Sequence, residues 1–370
     1  MMNWAGVYYQ RQKQPTVISV NAGMSQRYTM TFEQMDRTRW ARGAYITFRG
    51  RLAWGANGPN ALTADSIRAI IANFKVTGYS RATGKSVDFI NVKGPALKQY
   101  VSQKLQANLR DDYDAALIPA ANGSYDIDVR YYLPFGVLNA GAQATVGTLL
   151  DLPNYNNVQI EMTLGDDTSI FNGQTVAGTF TAYGSGAGLP AVTIQMEYAQ
   201  SPDKFVGLKP ARVWMTTLPM PSQIITAAAG VRLNVNGLPR GNRHLAYVLR
   251  TGQKNPNATN GQIVCLTRAN ILDGLRLKLG QNNILHEYSD FASLQDFQAI
   301  DVMGTRYAAT GAAMLDFVPR NLLSAFRTDQ FIAGSTSDTD LFWEGDINTS
   351  NANNMIETTI VELVDNFIFQ

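Results

Sequence analysis

Residues 274–300, GLRLKLGQNNILHEYSDFASLQDFQAI, encode a strand, a turn, a second strand and a short helix in direct succession, and the same order occurs once earlier in the chain. Leu275, Leu277 and Leu279 alternate with Arg276 and Lys278, the period of a strand with one buried face. Residues 280–283 are turn chemistry, and Ile284-Leu285 restarts the apolar run. Asp290 stands where a helix cap belongs, and Phe291, Leu294, Phe297 and Ile300 recur on one helical face. In the earlier copy Ala72, Phe74 and Val76 alternate with Asn73 and Lys75, a polar turn follows, and residues 87–92 restart the strand. After Gly94-Pro95 comes a helix with Leu97, Val101 and Leu105 on one face, proline being well placed in a first turn. Two copies of one unusual sub-motif predict a duplicated domain.

Alternation continues on both sides of each copy. Strand-like runs occupy 17–20, 28–32 and 45–54, and after the first copy comes YDIDVRYYLPF. There Tyr125, Ile127, Val129, Tyr131 and Leu133 alternate with Asp126, Asp128, Arg130 and Tyr132. Residues 158–164 and 192–198 repeat the pattern, which half-buried antiparallel strands produce. Second-half candidates are 213–218, 224–229, 231–235, 246–249 and 263–266. AAMLDFVP at 312–319 takes the place of VRYYLPF, and 339–344 and 356–363 match 158–164 and 192–198. The spacing of matched elements falls from about 200 to about 165 residues, as loop insertions in the first copy would produce. The glycine-rich stretch between 164 and 192 reads as a flexible surface excursion, because its GSGAG run lacks the Gly-Lys-Ser/Thr of a phosphate loop.

A chain of 370 residues exceeds what one core serves, and AQSPDKFVGLKP at 199–210 suits an interdomain connection. The expected division is an N-terminal arm (1–15), a first domain (16–203) and a second (204–370). Each half carries about eight short strands and a helix, without the strand–helix alternation of a parallel sheet. The expected fold is all-β: two tandem eight-stranded jelly-roll β-sandwiches with short accessory helices.

Apolar residues make up 45% of the chain and charged ones only 16%, so a larger share of the surface than usual is expected to be covered by partners. A net charge of +2 gives no global field for nucleic acid, and no direct nucleic-acid contact is expected. No signal-peptide pattern and no run of 18 apolar residues is seen. Cys265 is the only cysteine, which excludes an intramolecular disulfide and fits a buried thiol in a chain made in a reducing cytosol. Residues 1–32 hold no acid, while Arg11, Lys13 and Arg27 accompany Trp4, Tyr8 and Tyr9. Such an arm can rest on an anionic lipid surface, clip onto a neighbouring subunit, or be a disordered start. Its candidate contact residues are Trp4, Tyr8, Tyr9, Arg11 and Lys13.

Catalytic chemistry is sparse. His244 and His286 are the only histidines, and neither a nucleophile triad nor a histidine metal cluster can be assembled; His286 reads as a hydrogen-bonded structural residue. Asp111, Asp112 and Asp114, then Asp166 and Asp167, then Asp338 and Asp340, are loop clusters whose oxygens suit structural calcium or, more simply, solvated turns. Arg240, Arg243, His244 and Arg250 form the densest basic patch, read as a solvated loop. Tyr131, Tyr132 and Phe135 read as core or interface rather than as a stacking platform. No residue is assigned to catalysis or to cofactor binding, and nothing pairs two carboxylates as a β-sandwich glycosidase requires.

Two successive jelly-roll-like halves, a helix after the early hairpin of each, and the YYLPF and LDFVP segments together resemble the double jelly-roll major capsid proteins of tailless bacteriophages with an internal membrane, the tectivirus and corticovirus type. The resemblance spans nearly the whole chain and implies a non-enzymatic coat protein, made in the host cytoplasm and located in the virion. It also implies a homotrimer whose six jelly rolls form a pseudo-hexagonal capsomer. Partners would be neighbouring capsomers, penton and minor capsid proteins, and the internal membrane through the arm. The alternative is a tandem β-sandwich carbohydrate- or receptor-binding phage protein, which would show an aromatic platform on one exposed sheet face.

Overall fold

Alternation becomes antiparallel pairing along most of the chain. The computed structural model describes residues 9–14, 17–20, 28–55, 67–105, 111–112, 122–138, 145–166, 170, 178–185, 188–199, 212–217, 232–235, 238, 243–254, 263–264, 272–279, 283–290, 292–294, 296–297, 312–317, 341–347 and 354–364. The chain divides into two units, Met1–Val213 with Asp365–Gln370, and Trp214–Val364.

In the first unit the elements are β1 (Tyr9–Lys13), β2 (Ile18–Ser19), β3 (Thr29–Phe32), β4 (Trp40–Trp54), β5 (Ile71–Ser80), β6 (Ser86–Lys93), α1 (Gly94–Leu105), β7 (Asp111–Asp112), β8 (Ser124–Pro134), β9 (Leu150–Asp151), β10 (Tyr155–Leu164), β11 (Gly178–Thr181) and β12 (Ala191–Ala199). One sheet runs β1-β12-β4-β8-β7, with β2 added to β12 and with β9 and β11 added to β4; the other runs β6-β5-β10-β3. Ile46, Phe48, Val129, Tyr131, Ile194 and Met196 of the first sheet, and Phe74, Val76, Ile90, Ile160 and Met162 of the second, are buried. The Phe74 and Tyr131 rings meet edge-on at 5.0 Å between the sheets. Each such side chain removed from water contributes about 1.5–3 kcal/mol. β6 passes into α1 without a loop. That close approach requires Gly94, because a Cβ there would collide with the Ile71 carbonyl oxygen. Leu97 and Val101 are fully buried and Leu105 is half-buried, and the polar Lys98, Gln99, Ser102, Gln103 and Lys104 are buried too.

After β13 (Arg212–Thr217), within which the division falls, the second unit contains β14 (Arg232–Val235), β15 (Arg243–Lys254), β16 (Ile263–Val264), β17 (Leu272–Leu279), β18 (Asn283–Asp290), β19 (Ala312–Asp316), β20 (Leu341–Ile347) and β21 (Asn354–Val364). β15 pairs β21 and β19, and β20 pairs β17 and β14, with β18 completing a hairpin on β17. The first unit pairs the same way: β4 with β12 and β8, β10 with β5 and β3, and β6 on β5. The duplication read from the sub-motif is therefore a duplication of pairing. Tyr247, Leu249, Ala313, Leu315, Ile356 and Ile360 of one sheet meet Leu275, Leu277 and Trp343 of the other in a core that also takes in Leu294 of the following helix.

Several expectations change. Residues 9–13 of the arm are a strand hydrogen-bonded to β12, and Gly178–Thr181 of the supposed glycine-rich excursion pairs β4. β1, β2, β7, β9 and β11 add to the core strands because long β4, β8 and β12 offer backbone groups that short segments can satisfy. β8 and β21 are buried on both faces along much of their length, so Asp128, Tyr132, Glu357 and Glu362 are not solvent-facing despite the alternation. Phe297 does not share the burial of Leu294: it is exposed, and its ring lies 5.7 Å from that of Tyr288. Phe291, Ile300, Cys265, the 224–229 run and residues 200–211 lie outside the described residues.

Candidate functional site

Strand pleating sends every second residue of β12, β4 and β8 to the outer face of the first sheet, and register decides which of them meet. Gly43 stands opposite Glu197 on one side and Pro134 on the other, and Tyr45 opposite Gln195 and Tyr132. Since Gly43 has no side chain, the Tyr132 ring lies over it and its hydroxyl donates to Glu197 Oε2 at 2.9 Å. β1 sets Arg11 opposite Glu197, with Nε 3.3 Å from Oε1, and Arg42 Nη1 lies 3.7 Å from the same oxygen. The Arg42 guanidinium covers the Tyr9 ring at 4.6 Å, and that of Arg11 lies 5.6 Å from the Tyr45 ring centre. Burial raises the pKa of the Tyr9 hydroxyl, with Arg42 opposing and Glu197 adding to the rise. Burial, followed by Glu197, pushes Tyr132 well above the ordinary tyrosine value.

The same layering continues along the sheet. Arg49 places Nε and Nη2 each 2.9 Å from Asp128 Oδ2, and Arg130 Nε lies 3.5 Å from Oδ1. Arg51 donates to Ser124 Oγ at 2.8 and 3.1 Å and lies 3.7 Å from Asp126. At Glu197 and Asp128 the carboxylates form the lower layer and guanidinium groups the upper one: these side chains are 3% and 1% exposed, against 58% for Arg11 and 49% for Arg49, whereas Arg51 and Asp126 lie level at 30% and 33%. A surface of such forks suits planar anions, carboxylates above all.

Of the arm residues expected to make contacts, Tyr9, Arg11 and Lys13 sit on β1, where Tyr9 is half-buried and Lys13 exposed; Trp4 and Tyr8 lie outside the described residues. Arg42 and Glu197 were not singled out in the sequence, and Tyr132 was read there only as core or interface. The sequence signal for Tyr132 and Glu197 is that each occupies a polar position in an alternating strand; Arg42 precedes the strand read at 45–54 and carries none. Tyr131 is core: its hydroxyl donates to the Arg68 carbonyl at 2.8 Å and accepts from the Ile71 N–H at 3.3 Å.

On the outer face of β18-β17-β20 the most exposed charge is acidic. Arg276 lies 2.9 Å from Glu287, 3.3 Å from Glu344 and 3.1 Å from Asp346, and Lys278 lies 3.3 Å from Glu344. Here Glu344 is lowest at 6% exposed, Lys278 and Arg276 follow at 12% and 20%, and Glu287 stands out at 55%.

The expected basic loop is instead a buried strand. Arg250 lies on β15 with Nη1 2.8 Å from Glu357 Oε1, and His244 Nδ1 is 3.4 Å from Glu362 Oε1, all four residues being nearly inaccessible. Alternation along β15 and β21 aims Arg250 and Glu357 at the outer face, while a bulge between His244 and Ala246 sets His244 and Glu362 on the inner face beside Tyr247; Arg240 lies outside the described residues. His286 is half-buried between aromatic rings, stacked on Tyr288 at 6.4 Å and 6.0 Å from Phe317, and burial lowers its pKa. Asp111 and Asp112 form β7, and Asp114, Asp167, Asp338 and Asp340 lie outside the described residues. Among the described residues no cluster of three or more His, Cys, Asp or Glu has metal-binding geometry, and no helix is long and apolar enough to cross a membrane.

No protein-family model and no curated protein sequence matches the chain. Solved structures do. The crystal structure of the STIV MCP superposes with a TM-score of 0.67 at 10% identity over 98% of both chains. The atomic structure of Sulfolobus Turreted Icosahedral Virus gives 0.63 at 13% identity over 98% of this chain and 92% of the other. The major capsid protein P2 from Bacteriophage PM2 gives 0.50 at 9% identity over 97% of both. This chain has the fold of the double jelly-roll major capsid proteins.

Proposed function

We propose that this protein is the non-enzymatic major coat protein of an icosahedral virion, in which three copies contribute six jelly rolls to a pseudo-hexagonal capsomer. The observation that carries the reading is the match to the STIV MCP over 98% of both chains, which takes in both jelly rolls in order. Supporting it, the charged groups cluster on sheet faces rather than around a cleft, as expected of a chain whose task is to associate. Capsomers then tile by lateral contacts, with penton and minor capsid proteins closing the shell, and no nucleic acid is bound directly. In this reading the virus is a phage with an internal membrane. Since Tyr9 and Arg11 are taken up by the first sheet, the lipid contact falls to the segment before β1, with Trp4 and Tyr8.

Light scattering on the purified chain tests the assembly. A trimer mass at micromolar concentration, with pseudo-hexagonal particles in negative stain, is the expected result; a stable monomer overturns the reading. Co-sedimentation with anionic vesicles tests the arm, and W4A/Y8A binding as well as the parent would remove the lipid contact.

A further inference from the structure

The two layered faces are complementary, and neither complements itself. On the first sheet of unit 1, Arg11, Lys13, Arg42, Arg49, Arg51 and Arg130 share the outer face, with Glu197 and Asp128 buried beneath them and with Asp126, half-exposed, beside Arg51. On β18-β17-β20, Arg276 and Lys278 lie over the buried Glu344, and the Glu287 and Asp346 carboxylates stand above them beside Ile284, itself 45% exposed. Two copies meeting through the same face would oppose guanidinium to guanidinium, or carboxylate to carboxylate. Only basic face on acidic face brings opposite charge to the boundary.

A second observation points the same way. The counterpart of the basic sheet in unit 2, built on β21-β15-β19, has its outer charged pair covered: Arg250 and Glu357 are each 3% exposed. One duplicated sheet face is thus closed in unit 2 and open in unit 1.

We infer that the arginine-covered outer face of β1-β12-β4-β8 in one copy docks on the Glu287/Asp346 face of β18-β17-β20 in a second copy of this chain. The contact is heterologous, so it propagates head to tail and closes into a ring when the rotation per copy is a third of a turn. This inference rests on the trimeric reading above and names the surfaces that make it.

Mass photometry and sedimentation velocity on the full chain, over nanomolar to micromolar concentrations, read the outcome. Raising NaCl from 50 to 500 mM weakens association of the unmodified chain by roughly tenfold or more, because screening acts on the exposed charge layers. K13E/R130E on one face, and E287K on the other, each shift the dissociation midpoint upward by about tenfold or more, while the three substitutions together recover most of the loss. K13E/R130E leaves Arg49 on Asp128, and far-UV circular dichroism confirms that each variant is folded; the salt titration needs no substitution at all. A trimer indifferent to salt and to every reversal overturns this placement and leaves the coat-protein reading standing. An unmodified chain that stays monomeric throughout overturns both.

Discussion

Tyr132 reaches Glu197 across an intervening strand, its hydroxyl 2.9 Å from Oε2, because β4 presents Gly43 at the crossing point. A Cβ on Gly43 would stand 2.5 Å from both the ring Cζ and the hydroxyl oxygen of Tyr132, and 2.8 Å from the Leu133 carbonyl oxygen. Gly43→Ala must therefore move the ring or the backbone, and is expected to cost about 1–3 kcal/mol in urea unfolding. Tyr132→Phe, which removes only the hydrogen bond, should cost about 1 kcal/mol. The raised Tyr132 pKa keeps the folded hydroxyl protonated where the unfolded one ionises, so this stabilisation is complete below pH 10 and is lost as pH rises towards the folded value. The Tyr132→Phe protein should accordingly lose less stability above pH 10 than the parent.

Lys98 is buried on α1, where desolvation and then the nearby Arg68 lower its pKa to about 6. Its Nζ lies 5.4 Å from the Tyr131 ring centre, a contact that at pH 7 is made mainly by a neutral amine. Since the unfolded value is 10.5, the unfolded chain binds the additional proton between the two values. Stability falls as pH drops from 10.5 to about 6 and is flat with respect to this group below that. Lys98→Met should raise stability by at least about 1 kcal/mol at pH 7, one pKa unit being worth about 1.4 kcal/mol. Denaturation at pH 6, 8 and 9.5 checks this; the gain should shrink with rising pH.

Arg250 and Glu357 form an ion pair whose side chains are 4% and 3% exposed. Arg250→Met leaves a buried carboxylate without its cation and should destabilise by about 3–5 kcal/mol. Arg250→Met with Glu357→Leu removes both desolvation costs and should recover most of that loss. A double-mutant cycle by chemical denaturation provides the check, and additive losses would show the pair to be uncoupled.

Asp290 accepts the Ser293 N–H at 2.6 Å, as the cap position in the sequence requires, and hydrogen bonds from Ser293 lower its pKa. Asp290→Ala should cost about 1 kcal/mol, and Asp290→Asn considerably less. The depressed folded value makes the carboxylate's contribution present above pH 4 and lost as pH falls further, so the two Asp290 variants should differ least from the parent in acid. Thermal melts at pH 7 and pH 3 measure it.

The strands at 124–134, 155–164, 191–199 and 272–279, both hairpins, the Asp290 cap and the duplication were legible in the sequence, because period-two alternation and turn chemistry are local properties. Alternation also separates the two faces of each strand, but it cannot say what covers the polar one. Glu197 and Asp128 read as solvent-facing in the sequence. They are buried because the antiparallel register sets Arg11 and Arg49 over them, from strands remote in the chain. Arg250 and His244 looked like a basic loop until β21 delivered Glu357 and Glu362 in register opposite them. The sequence by itself determined where the long core strands run and that the domain occurs twice, though not the short added strands at 9–13 and 178–181. Tertiary structure decided which charges lie beneath and which above, since register is fixed by the pairing of distant strands and a shift of one residue exchanges the two faces.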